Sequence, residues 1–473
     1  MAELHWMSAF DLAGMIRRRE LKPSELVAAS LSRIEALNPK FNAFCALRAE
    51  EAMAEAHALD EKIARREETG ILAGLPLGVK DLEGVAGMAT TFGSVPFKDN
   101  IAKEDSIQVG RLRAAGAIVI GKTNTPEFGF TPFTKNLLFG RTRNPWNPER
   151  TPGGSSGGSS AALAAGMVPL TTGSDWGGSI RIPASFTGSF GLKPSQGRIP
   201  VGARLGMTAW ADFSVVGPIT RTVRDAAMYM DAVVGYHPSD ASSLPHPGIA
   251  YRAVLEHLPK HLRVALHPDL GYAVQSDVLR EVEKAANAFK EMGHEITILE
   301  ESVPRVAEAW LRIGSPQTLA NLGRYIEGHR NDFGRAFLAN MEGAAKITWL
   351  DYGDAWRVRT EFNEWARRIF ERFDLLLTPT CAVEAFAAGG PPPAEINGRP
   401  LTGPMAYIPF TFPFNMSGHP AASVRAGMTD SGLPCGMQII AERHRDDLVL
   451  QAAYAYEQAR SWNDKWPGRL TTG

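Results

Sequence analysis

Cysteine is scarce in this chain: three residues in 473, Cys45, Cys381 and Cys435, are widely scattered and none forms a CxxC pair. That excludes a disulfide framework and a cysteine zinc site, and fits a reducing compartment. No HExxH or similar histidine spacing occurs, so neither a metal nor a cofactor is expected. No apolar run reaches the ~18 residues a membrane helix needs. The N-terminal stretch MAELHWMSAFDLAGMIRRRE carries acidic residues where a signal peptide requires an apolar core. A cytoplasmic protein with no membrane span is expected. Neither charge sign dominates: 50 Lys+Arg against 51 Asp+Glu leave a net charge of −1, which argues against a nucleic-acid partner. Internal repeats and dividing linkers are also missing, which favours one domain.

What is present alternates helix and strand. Ser8 with Asp11 predicts a capped first helix, and Pro23 opens a second that should stop before Asn38-Pro39. Residues 48–67 read as a charged, alanine-rich surface helix. Leu75, Leu77 and Val79 alternate as in a short strand, placing Lys80 on its opposite face. Residues 117–120, 295–299 and 374–379 read as further strands, and 278–292 and 446–460 as helices. Residues 389–404 form a proline-rich surface loop. Apolar strands between helices imply an α/β fold with a sheet covered on both faces.

The stretch from Thr151 to Pro200 is the densest in glycine and serine. One turn, Gly153-Gly154-Ser155-Ser156-Gly157-Gly158, precedes an alanine-rich segment, and a second, Trp176-Gly177-Gly178-Ser179, precedes Ile180-Arg181-Ile182-Pro183. Taken alone, GGSSGG reads as a linker. A linker does not run straight into a helix-compatible apolar segment. Two such turns, each presenting a serine, suggest hydroxyls and main-chain N–H groups converging on one small group.

Two other motifs compete. Gly116 to Thr123 satisfies GxxxxGK[ST], but its four central residues are themselves a strand and cannot wrap a phosphate. Gly154 to Gly158 satisfies GxSxG, the elbow of a Ser-His-Asp hydrolase, for which His419 is the available histidine. His419 stands in no recognisable context, and the turn carries more glycine than such an elbow needs.

The two glycine-serine turns, with Ser155 and Ser179 24 residues apart, resemble the signature of the amidase signature family. Gly-Val-Lys-Asp at 78–81 is similar to that family's lysine motif. Segments 121–127, 143–146, 217–222, 378–380, 412–415 and 432–438 match its flanking pieces, so the likeness covers most of the chain. The resemblance implies a single α/β domain around a large mixed sheet. Within 1–473, residues 1–70 would be an N-terminal helical segment, 71–235 and 370–473 the catalytic core, and 236–369 a substrate-side insert. It implies Ser179 as the acylated nucleophile, Ser155 as the bridging serine behind a cis Gly154–Ser155 peptide, and Lys80 as the base. The N–H groups of Trp176, Gly177, Gly178 and Ser179 would form an oxyanion hole. Asp175 and Arg181 would hold that loop, and Ser156 would serve the turn.

This chemistry is coherent on its own terms. An alcohol needs a base within hydrogen-bond reach, and lysine is one alternative to histidine. Burial can bring a lysine towards neutrality, a shift of about 4–5 kcal/mol at 1.36 kcal/mol per unit. Without that context Lys80 would read as a solvated strand-end charge.

Two departures stand out: Trp176 where the family often has a smaller residue, and Ser423 to Gly427 without the proline common before Ala-Gly. Aromatic segments 128–139, 310–325 and 405–414 are expected to line the pocket, with the Trp176 ring shaping its acyl side. The expected function is hydrolysis of small-molecule amides with hydrophobic or aryl groups, with esters and carbamates within reach. The alternatives are the amidase component of a tRNA-dependent glutamine amidotransferase, and the Ser-His-Asp hydrolase. Homodimerisation is left open.

Overall fold

The computed structural model describes residues 4–202 and 213–467. Its centre is one mixed sheet of eleven strands. In chain order these are β1 (Phe44–Leu47), β2 (Pro76–Lys80), β3 (Ile118–Thr123), β4 (Leu170–Asp175), β5 (Phe190–Lys193), β6 (Val215–Thr220), β7 (Arg263–Leu266), β8 (Glu295–Ile298), β9 (Leu375–Pro379), β10 (Ala421–Met428) and β11 (Pro434–Ala441). Across the sheet they run β1-β3-β2-β4-β6-β5-β10-β11-β9-β7-β8. β2 pairs in parallel with both β3 and β4, whereas β4 to β6 and β10 to β11 are antiparallel. β7 and β8, from inside the expected 236–369 insert, belong to the same sheet.

Helices pack along the sheet, and the strands they cover are buried on both faces. Every residue of β2, β3, β5, β6, β9 and β11 is buried. This is the single-domain α/β architecture the alternating pattern implies. β3 runs through Gly121-Lys122 to Thr123, so the GxxxxGK[ST] match lies on a strand. The Ser8 cap forms as expected, with Ser8 Oγ accepting from Asp11 N at 3.0 Å.

One boundary differs. The second helix, Pro23–Phe41, continues through Pro39. Asn38 secures that last turn: its carbonyl accepts from Asn42 N at 2.7 Å, and its Oδ1 accepts from Ala43 N and Phe44 N at 2.8 Å each. These bonds offset the one that Pro39 cannot donate. The proline-rich stretch also holds a small hairpin, Glu395–Ile396 with Arg399–Pro400.

Candidate active site

Lys80 ends β2 and is fully buried. Its main-chain N–H donates to Thr172 Oγ1 of neighbouring β4 at 3.0 Å. Its Nζ donates to Ser155 Oγ at 2.7 Å and to Ser174 Oγ at 2.9 Å. Among the described residues no carboxylate lies within ion-pair distance of this amine. Burial lowers its pKa to about 7, against the pull of the Glu83 and Asp175 charges.

The neighbouring buried lysine has a different environment. Lys122 on β3 pairs with Asp81 Oδ1 at 3.4 Å and donates to Thr90 Oγ1 at 3.0 Å. Asp81 of the Gly-Val-Lys-Asp motif therefore pairs with Lys122 and not with Lys80. Two lysines on adjacent parallel strands thus differ in partner: burial lowers the pKa of both, but only Lys122 faces a carboxylate among the described residues.

Ser155 follows a cis Gly154–Ser155 peptide. Thr125 Oγ1 donates to Ser155 O at 3.0 Å and Thr134 Oγ1 to Gly153 O at 2.9 Å, which fixes the turn. The chain passes close over its hydroxyl at Gly129, where φ is +72°. A Cβ there would sit 3.1 Å from Ser155 Oγ and 2.9 Å from Leu82 Cδ1. Ser174, which sequence reasoning missed, lies beside a cavity of about 160 Å³ also lined by Glu83 and Gln108. The available signal was the run of polar residues, Thr171, Thr172 and Ser174, on a strand that must be buried.

The second turn leads from β4 into the Arg181–Thr187 helix. Asp175 is wholly buried beneath it. It accepts from Gly178 N at 2.7 Å, Ile180 N at 3.1 Å, and Arg181 Nε and Nη2 at 3.0 and 2.9 Å. Burial alone would raise its pKa, but the Arg181 charge and hydrogen bonds, with Asn415, hold it at about 2. Arg181 Nη1 reaches Thr411 O at 2.8 Å and Gln438 Oε1 at 2.6 Å, and Nη2 reaches Asn415 Oδ1 at 2.6 Å.

Each peptide plane of the turn is anchored on one edge. Trp310 Nε1 donates to Trp176 O at 3.2 Å, Thr411 Oγ1 to Gly177 O at 2.6 Å, and Ile182 N to Gly178 O at 2.7 Å. Gly178 N–H, one of the four expected oxyanion donors, is engaged by Asp175. Among the described residues the N–H groups of Gly177 and Ser179 have no acceptor.

Ser179 is half-buried and joins the first turn through its main chain, Ser156 N donating to Ser179 O at 3.2 Å. The Ser155 and Ser179 hydroxyls are not hydrogen-bonded to each other. Ser156 Oγ bridges to β4, donating to Ser174 O at 3.4 Å and accepting from Ser174 N at the same distance. His419 stands elsewhere, stacked on Phe370 with ring centroids 4.9 Å apart and paired with Ser417 Oγ and Glu442. The Ser-His-Asp arrangement is absent among the described residues.

A family model described as Amidase matches residues 25–450. The chain belongs to the amidase signature family. It is 37% identical over 477 residues to an acylamidase of Rhodococcus erythropolis, covering 98% of each chain. It is 36% identical to one of the subunits of the glutamyl-tRNA(Gln) amidotransferase of Moorella thermoacetica, covering 98% of this chain and 99% of that one. Among solved structures it matches a bacterial aryl acylamidase of this family with a TM-score of 0.93 and 33% identity over 99% of both chains. The enzyme is an amide-hydrolysing member of this family, and no helix among its described residues is long and apolar enough to cross a membrane.

The aromatic segments are mostly core. Phe128 lies buried in a cluster with Phe92, Phe97 and Phe337, and Phe410, Phe412 and Phe414 are fully buried. The Trp176 ring packs against Trp310 rather than standing open. Half-buried Phe130, Phe133 and Tyr407 are among the apolar side chains in these segments that keep some exposed surface, and Leu82 outside them is half-buried as well.

Proposed function

We propose that the enzyme hydrolyses carboxylic amides through an acyl-enzyme on Ser179, with Ser155 and Lys80 moving the proton. The observation that carries this is the 2.7 Å contact between Ser155 Oγ and a buried amine that has no counter-ion among the described residues. A neutral Lys80 accepts a proton from Ser155 across that contact, and Ser155 takes one from Ser179 as it attacks the substrate carbonyl. Catalytic hydrogen bonds often tighten only in the substrate complex, which suits a Ser155–Ser179 bond made at that stage. The oxyanion would accept from the N–H groups of Gly177 and Ser179, which have no acceptor among the described residues. As the C–N bond breaks, the proton returns from Lys80 through Ser155 to the departing nitrogen. Water then attacks the acyl-enzyme, releases the acid and restores Ser179.

Half-buried Leu82 beside Ser155 and the neighbouring aromatics favour apolar or aryl acyl amides. The acylamidase and aryl acylamidase relatives point the same way. The amidotransferase relatives support a second reading, in which the chain acts on glutamine with a partner protein. Turnover of a simple aryl amide by the purified chain alone selects the first reading.

Intact-mass analysis after treatment with a fluorophosphonate is expected to show one adduct, absent in Ser179→Ala. An adduct mapped to Ser155 or Ser156 overturns the assignment. His419→Gln is expected to keep kcat/KM within about threefold of the parent, because its ring touches neither serine. A ~100-fold loss, the lower end for removing a general base, would restore histidine chemistry.

A further inference from the structure

The helix Ala307–Leu322 lies more than a hundred residues beyond the signature loop and outside every motif that marks the family in this sequence. It nevertheless grips the loop at the residue where this chain departs from the usual pattern. The rings of Trp176 and Trp310 lie with centroids 3.9 Å apart at 36°. Each fits a notch left by a glycine on the opposing element. A Cβ on Gly177 would stand 2.4 Å from Trp310 Cζ2, and one on Gly314 would stand 2.1 Å from Trp176 Cζ2. Phe412 backs Trp310, with centroids 5.4 Å apart.

The polar contact has a directional consequence. Trp310 Nε1 donates to Trp176 O at 3.2 Å. In a planar trans peptide the C=O and the following N–H point to opposite edges. Holding the Trp176 carbonyl towards the helix therefore aims the Gly177 N–H away from it. The other loop peptides are anchored from within the signature region or from Thr411 and Asn415, so among the described residues this one alone depends on the Ala307–Leu322 helix.

We propose that Trp310 is a positioning residue that fixes the Gly177 N–H as an oxyanion donor, with Trp176 and Gly314 completing the interlock. The proposal rests on the acyl-transfer reading above. It also accounts for a tryptophan at 176: the large ring is the surface on which the helix registers.

Trp310→Phe keeps a stacking ring and removes the N–H. Loss of a whole oxyanion donor lowers kcat by about 100- to 1000-fold, so loosening one is expected to lower kcat by roughly 10- to 100-fold with KM within about twofold. The rate of fluorophosphonate labelling at Ser179 should fall by a similar factor. The loss should be equal for acetyl and bulky aryl amides. Gly314→Ala is the second variant: it favours the helix but drives into the Trp176 ring, and it should reproduce the kcat loss with the Trp310 N–H intact. A rise in KM at unchanged kcat, or a loss confined to bulky acyl groups, would make Trp310 a pocket wall and overturn the proposal. Unchanged labelling and turnover in both variants would also overturn it while leaving the acyl-enzyme intact. A parent protein that neither labels nor hydrolyses would remove the acyl-transfer reading, and the positioning role with it.

Discussion

Lys80→Met is expected to lose about 1000-fold in kcat/KM towards an amide while remaining folded, within the range for removing a general base. Methionine keeps much of the apolar stem and removes the amine. In the parent, kcat/KM should fall as pH drops below about 7, where Lys80 takes up a proton and can no longer receive one from Ser155. The same group governs stability. Its folded pKa, about 7, lies below its ordinary value of 10.5. Below pH 7 both folded and unfolded chains carry the proton, and the fold bears the full penalty of a buried charge. Between about 7 and 10.5 the unfolded chain binds more protons, so the parent gains stability as pH rises. At 1.36 kcal/mol per unit the whole span is roughly 5 kcal/mol. Urea midpoints for parent and variant from about pH 6 to about pH 9.5 test this, because the variant should lose that slope. Retained activity with parallel midpoint curves would make Lys80 an ordinary charged lysine and remove it as the base.

Much of this arrangement was legible because it is local. Leu75, Leu77 and Val79 announce β2 by alternation, and the strand ends on the lysine. The two turns declare themselves through glycines that allow close approach. At Gly178, where φ is +128°, a Cβ would stand 2.3 Å from Thr411 Oγ1. What was not legible depends on partners far along the chain. Nothing near Arg181 announces Thr411, Asn415 or Gln438, and nothing near Trp176 announces Trp310. Asp81 illustrates the same limit: its motif places it beside Lys80, yet its carboxylate faces Lys122 on the next strand. Gly178, expected as an oxyanion donor, shows the same limit, because its N–H is bonded to Asp175. Glycine spacing shows that an N–H is accessible, but not that a buried carboxylate below has already taken it. Pro39 shows that a local rule yields when a neighbouring side chain, here Asn38, supplies replacement hydrogen bonds.

The Asp175–Arg181 pair gives the largest expected effect on folding. Both side chains have no exposed surface, and their charges are separated by 2.9 Å. Removing one partner leaves the other charge buried and uncompensated, which costs about 3–5 kcal/mol. Asp175→Asn keeps the shape but leaves the Arg181 guanidinium with only neutral acceptors, namely Thr411 O, Asn415 Oδ1 and Gln438 Oε1. Arg181→Met leaves the carboxylate with Gly178 N, Ile180 N and Asn415, and it also frees the C-terminal segments that Arg181 ties to the loop. Each single variant should show a markedly lower urea midpoint. Asp175→Asn/Arg181→Met should be more stable than the sum of the two losses predicts, by more than ~1 kcal/mol, because no lone charge remains buried. Activity should not recover with stability. Asp175 also engages the N–H groups of Gly178 and Ile180, so without its carboxylate the loop loses the base on which Gly177 and Ser179 are held. Asp175's pH effect has the same sign as that of Lys80, stability rising with pH, but falls in a far lower window. Its folded pKa of about 2 lies below its ordinary 3.8, so its stabilisation is present above about pH 4 and fades as pH falls towards 2. Strict additivity of the two losses, or a double variant as active as the parent, would show that the pair neither couples nor shapes the loop.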